Sequence, residues 1–202
     1  MNEKQKEILV GSLLGDASIA KISDTKARVN IGHSDKQLDY VNYLYGELES
    51  LCKTPPKENK GKYITYYFNT LSREDLLELY NKFVVEGVKG VPKDIEELLT
   101  PLGLAVWFMD DGTSCYTTIT DKMINRNSTA MLCTDAFTKQ DVELLIKVLE
   151  RKFGIKSNLN HPKSRKGYRI YIGTKYAQKF FDIIEPYIID SMRYKIKRPY
   201  KL

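Results

Sequence analysis

Two aspartates at matching points of the 202-residue chain carry its strongest chemical signal. Asp16 closes the run Leu9-Val10-Gly11-Ser12-Leu13-Leu14-Gly15, and Asp111 closes Leu104-Ala105-Val106-Trp107-Phe108-Met109-Asp110, with Gly112 behind it. Both runs read as apolar helices, so each acid stands at the negative end of a helix dipole, a placement that costs up to about 1 kcal/mol. One such acid fits a cap onto the next turn; two in corresponding places ask for a common cause. If the helices pack side by side the carboxylates approach, and at about 4 Å they repel by roughly 4 kcal/mol at an effective dielectric near 20. A divalent cation removes that repulsion. Carboxylate oxygens with open water positions suit Mg²⁺, and metals held this way can activate water and stabilise the leaving oxygen in phosphodiester hydrolysis.

The elements that would position these acids repeat along the chain. Residues 3–15 read as a helix with Ile8, Leu9, Ser12 and Leu13 on an apolar face beside the small Gly11 and Gly15. Strand-like runs at 18–22 and 28–33 flank a polar turn. Ser34 and Gln37 suggest a capping box for a helix through about Cys52, with Leu38, Val41, Leu44, Tyr45 and Leu48 buried. A second hairpin turns at 54–62 and returns along 63–70, and Ser72 with Asp75 would cap a helix to about Val85. The rhythm then recurs: a helix to Asp110, strands near 114–120 and 128–134, a helix from Thr138 and Asp141 to Phe153, strands near 155–160 and 168–173, and a last helix from Thr174. Each half reads αββαββα. The expected class is α+β, a pseudo-twofold duplication of halves 1–98 and 99–202 linked through the Gly- and Pro-containing segment 87–101.

Composition removes other classes. With 42% hydrophobic and 29% charged residues and no long apolar run, neither a disordered chain nor a membrane span is expected. The start carries acids and lacks the long apolar block and cleavage site of a secretory signal, so an intracellular protein is expected. Cys52, Cys115 and Cys133 have no CxxC spacing and only His33 and His161 beside them, which argues against zinc and disulfides and for buried thiols. The net charge of +6 is unevenly spread. The four hairpin segments 18–34, 53–70, 113–134 and 155–175 hold fifteen basic residues against three acids, leaving −6 for the rest. Charge of one sign in four matching places points to a polyanion.

The segments Gly11-Ser12-Leu13-Leu14-Gly15-Asp16 and Leu102-Gly103-Leu104-Ala105-Val106-Trp107-Phe108-Met109-Asp110-Asp111-Gly112 resemble the two motifs of the LAGLIDADG homing endonucleases, in the single-chain branch typified by the omega-intron endonuclease. The resemblance spans nearly the whole chain, with Ala17 where many members have Gly. It implies that the motif helices form a central interface and the sheets a DNA-binding saddle. It also implies that Asp16 and Asp111, rather than Asp110, bind the metal. The segments Val88-Lys89-Gly90-Val91-Pro92 and Met192-Arg193-Tyr194-Lys195-Ile196 match those that bring a basic residue near the scissile phosphate in that branch, so Lys89 and Lys195 are carried over as catalytic. Their role would be to stabilise phosphorane charge or polarise the attacking water. The expected cofactor is Mg²⁺, with Mn²⁺ able to substitute and Ca²⁺ binding without cleavage.

Strand alternation names the residues that would face DNA. Tyr63, Thr65, Tyr67 and Asn69 oppose Ile64, Tyr66 and Phe68; Arg28 and Asn30 oppose Val29 and Ile31; Arg169 and Tyr171 oppose Ile170 and Ile172. Lys21 and Arg126 join this set, and Lys163, Arg165 and Lys166 would grip phosphates. Two strands of about eight residues end to end reach about 52 Å, roughly 15 base pairs. The expectation is a monomer that cuts an asymmetric duplex across the minor groove and leaves 3′ overhangs. The alternatives are a maturase acting on its own intron RNA and a DNA-binding regulator without catalysis. Retention of both acids favours cleavage, since a pure binder has no use for a repelling pair.

Overall fold

Two helices are buried over most of their length: α1 (Glu3–Leu14) from Ile8 to Leu14 and α5 (Pro101–Asp111) from Leu102 to Asp110. A helix without a solvent face must be covered on every side, and these two cover each other. In the computed structural model, which describes residues 1–118, 125–161, 166–198 and 200–201, they pack through glycine. A Cβ on Gly11 would lie 2.3 Å from the Gly103 carbonyl oxygen, so the backbones meet where no side chain intervenes. Asn2 and Gln5 form a reciprocal capping box for α1, and Thr100 caps α5 ahead of Pro101.

Around this pair the chain runs β1 (Ser18–Ser23), β2 (Lys26–Ser34), α2 (Leu38–Leu48), β3 (Lys57–Lys60), β4 (Ile64–Asn69) and α3 (Glu74–Phe83). The short hairpin β5 (Val84–Val85) and β6 (Val88–Lys89) and the single turn α4 (Ile95–Leu98) lead into α5. Then follow β7 (Gly112–Thr118), β8 (Asn125–Thr134), α6 (Lys139–Phe153), β9 (Asn158–Asn160), β10 (Tyr168–Ile172), α7 (Thr174–Ile184) and β11 (Tyr200–Lys201). The sheets are antiparallel and have matching orders, β1-β2-β4-β3 and β7-β8-β10-β9, with β11 also on β8. The αββαββα order and the antiparallel sheets agree with the sequence reading. No helix among the described residues is long and apolar enough to cross a membrane.

Several local expectations are corrected. Ser34 makes no capping bond; the chain passes through a 3₁₀ turn at Asp35–Gln37 before α2, which gives way to another at Glu49–Leu51 instead of running to Cys52. Tyr40 takes the buried place on α2 assigned to Leu38. The helix α3 starts at Glu74, and Asp75 accepts from Arg73 and the N-terminal amine rather than capping it. It stops at Phe83 because Val84-Val85 pair with Val88-Lys89 through a turn at Glu86 and Gly87, both at positive φ. Tyr63 and Ile64 lie at an exposed tip, with Ile64 41% exposed rather than packed beneath. None of the thiols is fully buried, and Cys115 is exposed.

Candidate active site

The chain turns sharply where each motif helix ends, and a lysine from a distant segment sits under each turn. Lys89 Nζ donates to the carbonyls of Gly15 and Ala17, both at 2.9 Å, on either side of Asp16. Lys195 Nζ donates to the carbonyls of Met109 and Asp110, the latter at 2.9 Å, just ahead of Asp111. The last carbonyls of a helix have no intrahelical donor, and an ammonium there both satisfies them and offsets the dipole. Burial pulls both ammonium groups down in pKa, and Asp16, Asp110 and Asp111 oppose that pull.

Asp16 and Asp111 line one cleft of about 320 Å³ with Lys89, Thr134, Asp135 and Phe137. Asp16 is exposed and Asp111 half-buried. Burial, then repulsion from Asp16, raises the Asp111 carboxyl to about 6, although Lys89 and Lys195 draw it down. Asp16 is shifted the other way, chiefly through the contact of its carboxylate with His33 Nδ1 at 3.4 Å. Two hard carboxylates that repel each other in a solvent-reached cleft are a donor set that fits a divalent cation.

Asp110 occupies the position in α5 that Gly15 holds in α1, immediately before the motif acid, and its side chain turns away from the cleft lining. Room for it exists because Gly15 has no side chain: a Cβ there would lie 2.4 Å from Asp110 Oδ2. Asp110 accepts from the Tyr40 hydroxyl at 2.7 Å and from the Asp16 amide at 3.2 Å. His33 lies between the two acids, with Nδ1 3.4 Å from Asp16 Oδ2 and Nε2 3.6 Å from Asp110 Oδ1. Burial lifts Asp110 to about 7 against the pull of His33 and Tyr40. Burial opposes charge on His33, but Asp16 and Asp110 outweigh it and raise its pKa. Asp16, His33 and Asp110 could also hold a metal by proximity, all three ligand atoms lying within 4.8 Å of one another.

Sequence reasoning missed His33 and Tyr40 and set Asp110 aside. The signal for His33 was its parity in β2, where Ala27, Val29, Ile31 and His33 are all buried. A histidine continuing an apolar row needs a polar partner inside.

Strand register settles which polar side chains share a face in the first sheet. Asn69 pairs with Asn30, and Asn30 with Ser18; Lys57 pairs with Tyr67, and Tyr67 with Gly32; Arg28 pairs with Ala20. Arg28, Asn30, Tyr67 and Asn69 therefore lie together, opposite buried Val29, Ile31 and Phe68, and Asn30 donates to Asn69 at 3.0 Å. Lys21 is paired with Asp24 and Tyr63 is exposed beside Lys62. In the second sheet Arg169 and Tyr171 share the face opposite buried Ile170 and Ile172, with Arg169 held on both carboxylate oxygens of Asp135. Lys166 is exposed. The Arg126 side chain, Lys163 and Arg165 lie outside the described residues.

Residues 6–180 match the LAGLIDADG DNA endonuclease family. The chain is 28% identical to the DNA endonuclease I-ChuI of Chlamydomonas applanata over 97% of its own length and 95% of that protein's. It is 31% identical to the cytochrome b mRNA maturase bI2 of Debaryomyces hansenii over 97% of its own length and 74% of the relative's. Among solved structures, the homing endonuclease I-WcaI bound to its DNA recognition sequence superposes with a TM-score of 0.83 at 28% identity, over 98% of this chain and 87% of that one. Two glycine-packed helices ending in a shared acidic cleft, a match over most of the sequence and that superposition agree: the chain belongs to the LAGLIDADG DNA endonuclease family.

Proposed function

We propose that the chain is a site-specific endonuclease that hydrolyses both strands of a long asymmetric DNA site in a Mg²⁺-dependent reaction and leaves 3′ overhangs. The observation that carries this reading is the convergence of Asp16 and Asp111 in one cleft, each beside a helix end braced by a lysine. Asp16 and Asp111 would hold the metal, which when bound supplies an activated water and charge neutralisation at the phosphate. Lys89 and Lys195 fix the two turns and add positive charge toward the phosphodiester, a role that exploits their partly buried ammonium groups. The polar sheet faces bearing Arg28, Asn30, Tyr67 and Asn69 on one side and Arg169 and Tyr171 on the other would read base edges, with exposed lysines such as Lys166 on phosphates. Because the two sheets differ in sequence, the site they read is asymmetric and one chain serves both strands. Two acids close together reach phosphates that face one another across a minor groove only about 6 Å wide, which staggers the cuts toward 3′ overhangs.

The test is incubation with a plasmid library of random duplex inserts in Mg²⁺, followed by sequencing of the ends. Recovery of one recessed-5′ junction sequence, lost in Asp16→Asn and Asp111→Asn, is the expected outcome. Cleavage that persists in both variants would overturn the metal assignment. The maturase relative favours a second reading, RNA binding on the same basic faces. Filter binding to intron RNA with duplex DNA as competitor separates the two.

A further inference from the structure

The two motif acids are not held alike. The Asp16 carboxylate faces His33 Nδ1, and His33 has less than a tenth of its surface exposed. Behind the ring, Nε2 lies 3.6 Å from Asp110 Oδ1, an ion-pair distance without a hydrogen bond, and the ring sits tilted with its centroid 5.0 Å from that of Tyr40, which is fully buried and donates to that same Asp110 oxygen. Asp110 Oδ2 in turn accepts the amide of Asp16 itself, closing a loop from Asp16 backbone to Asp16 side chain through two buried residues. Asp111 has no counterpart. Among the described residues its carboxylate makes no hydrogen bond or ion pair, and the residue before Asp16, where a second Asp110 would stand, is Gly15. At the corresponding end of β8, the Thr134 hydroxyl is spent on the Tyr168 carbonyl at 2.6 Å.

We propose that His33, clamped by Asp110 and Tyr40, is a positioning residue for Asp16 alone, so that the two acids of this chain take up metal and serve their strands unequally. The inference rests on the endonuclease reading for its strand readout but not for its metal readout. A carboxylate oriented by a buried partner binds a cation with less ordering to do, and Asp16 has such a partner at 3.4 Å whereas Asp111 has none among the described residues. The asymmetry is chemical, in one sequence position of each motif, and does not depend on the DNA.

Three variants test it: His33→Ala, His33→Asn, whose amide keeps a donor near the Nδ1 position, and Tyr40→Phe, which removes one hydroxyl from the clamp. Strand-specific cleavage of a supercoiled target plasmid is followed beside Mn²⁺ titration of the free protein by electron paramagnetic resonance. His33→Ala is expected to slow one strand, always the same one, by about tenfold or more, to accumulate nicked circles, and to weaken one class of Mn²⁺ site to a similar degree. His33→Asn is expected to recover part of both losses, and Tyr40→Phe to shift them in the same direction by less. Equal slowing of the two strands, or Mn²⁺ binding unchanged in His33→Ala and Tyr40→Phe, would overturn the proposal. If the wild-type chain cleaves no duplex, the endonuclease reading fails and the Mn²⁺ titration decides the positioning role by itself.

Discussion

At the scale of single residues, the site holds more acid than its surroundings favour. Asp110 and Asp111 have carboxyl groups raised to about 7 and about 6 by burial, and His33 is raised above its ordinary value. All three have folded pKa values above their unfolded ones, so the stability they contribute is fully present at low pH and is lost as pH rises through the folded values. The shift of Asp16 is downward and acts only near its own low range. The metal-free protein should therefore lose on the order of 3 kcal/mol between about pH 5 and pH 8. Thermal melts across that range check this, and saturating Mg²⁺ should remove the part of the slope owed to Asp111, because the cation replaces the proton there. Asp111→Asn should reduce the loss in the metal-free protein, leaving the share owed to Asp110 and His33, while abolishing cleavage; an unchanged curve in that variant would show that Asp111 does not titrate there. Removal of divalent ions with a chelator should stop cleavage, as a plasmid assay would show.

At the scale of elements, the site depends on how closely α1 and α5 approach. A side chain at Gly11 meets the backbone of Gly103, which cannot move without separating the helices, whereas one at Gly15 meets the Asp110 side chain. Gly11→Ala should cost roughly 2–3 kcal/mol in urea denaturation, as overpacked cores do. Gly15→Ala should cost a similar amount, because its Cβ would lie 2.5 Å from Asp110 Cβ, and should also reduce cleavage, because Asp110 must leave its place between Tyr40 and the Asp16 amide. No loss of stability in Gly11→Ala would mean that the helix contact is looser than described. The braces act at the same scale: Lys89 comes from β6 and Lys195 from a 3₁₀ turn at Asp190–Lys195, two unlike supports for two like helix ends.

At the scale of the molecule, the hairpin segments that build the two sheets carry the charge asymmetry, while acids collect elsewhere in the sequence. Part of that basic charge is already committed: Lys21 to Asp24, Lys60 to Glu58, Lys156 to Glu150 and Arg169 to Asp135. Among the described residues Lys26, Arg28, Lys53, Lys57, Lys62, Lys166 and Lys175 have no acidic partner and would be free for phosphate under the proposed function. Duplex affinity should fall by roughly 10³-fold between about 50 and 200 mM salt if six or more phosphates are neutralised. Fluorescence anisotropy measures it, and Arg28→Glu should lessen both the affinity and the salt slope. A flat salt response would remove the polyanion argument. Sedimentation should give the mass of one chain, with or without duplex.

The sequence by itself determined the repeat, the two helix-ending acids and the alternation of the strands, because each of these follows from local periodicity: an apolar run closed by a carboxylate, or Val29 and Ile31 alternating with Arg28 and Asn30. Lys89 and Lys195 were legible only through family resemblance, since nothing local marks a lysine that will reach a carbonyl some 70 or more residues away. Only the tertiary structure decided that Asp110 turns inward, that His33 stands between it and Asp16, and that Tyr40 closes the set. Those three meet from β2, α2 and α5, and their partnership depends on a helix contact tight enough to need glycine at positions 11 and 103. Periodicity says which face of an element is buried. It does not say what lies across the interface, and a buried polar group takes its role from the partner it finds there.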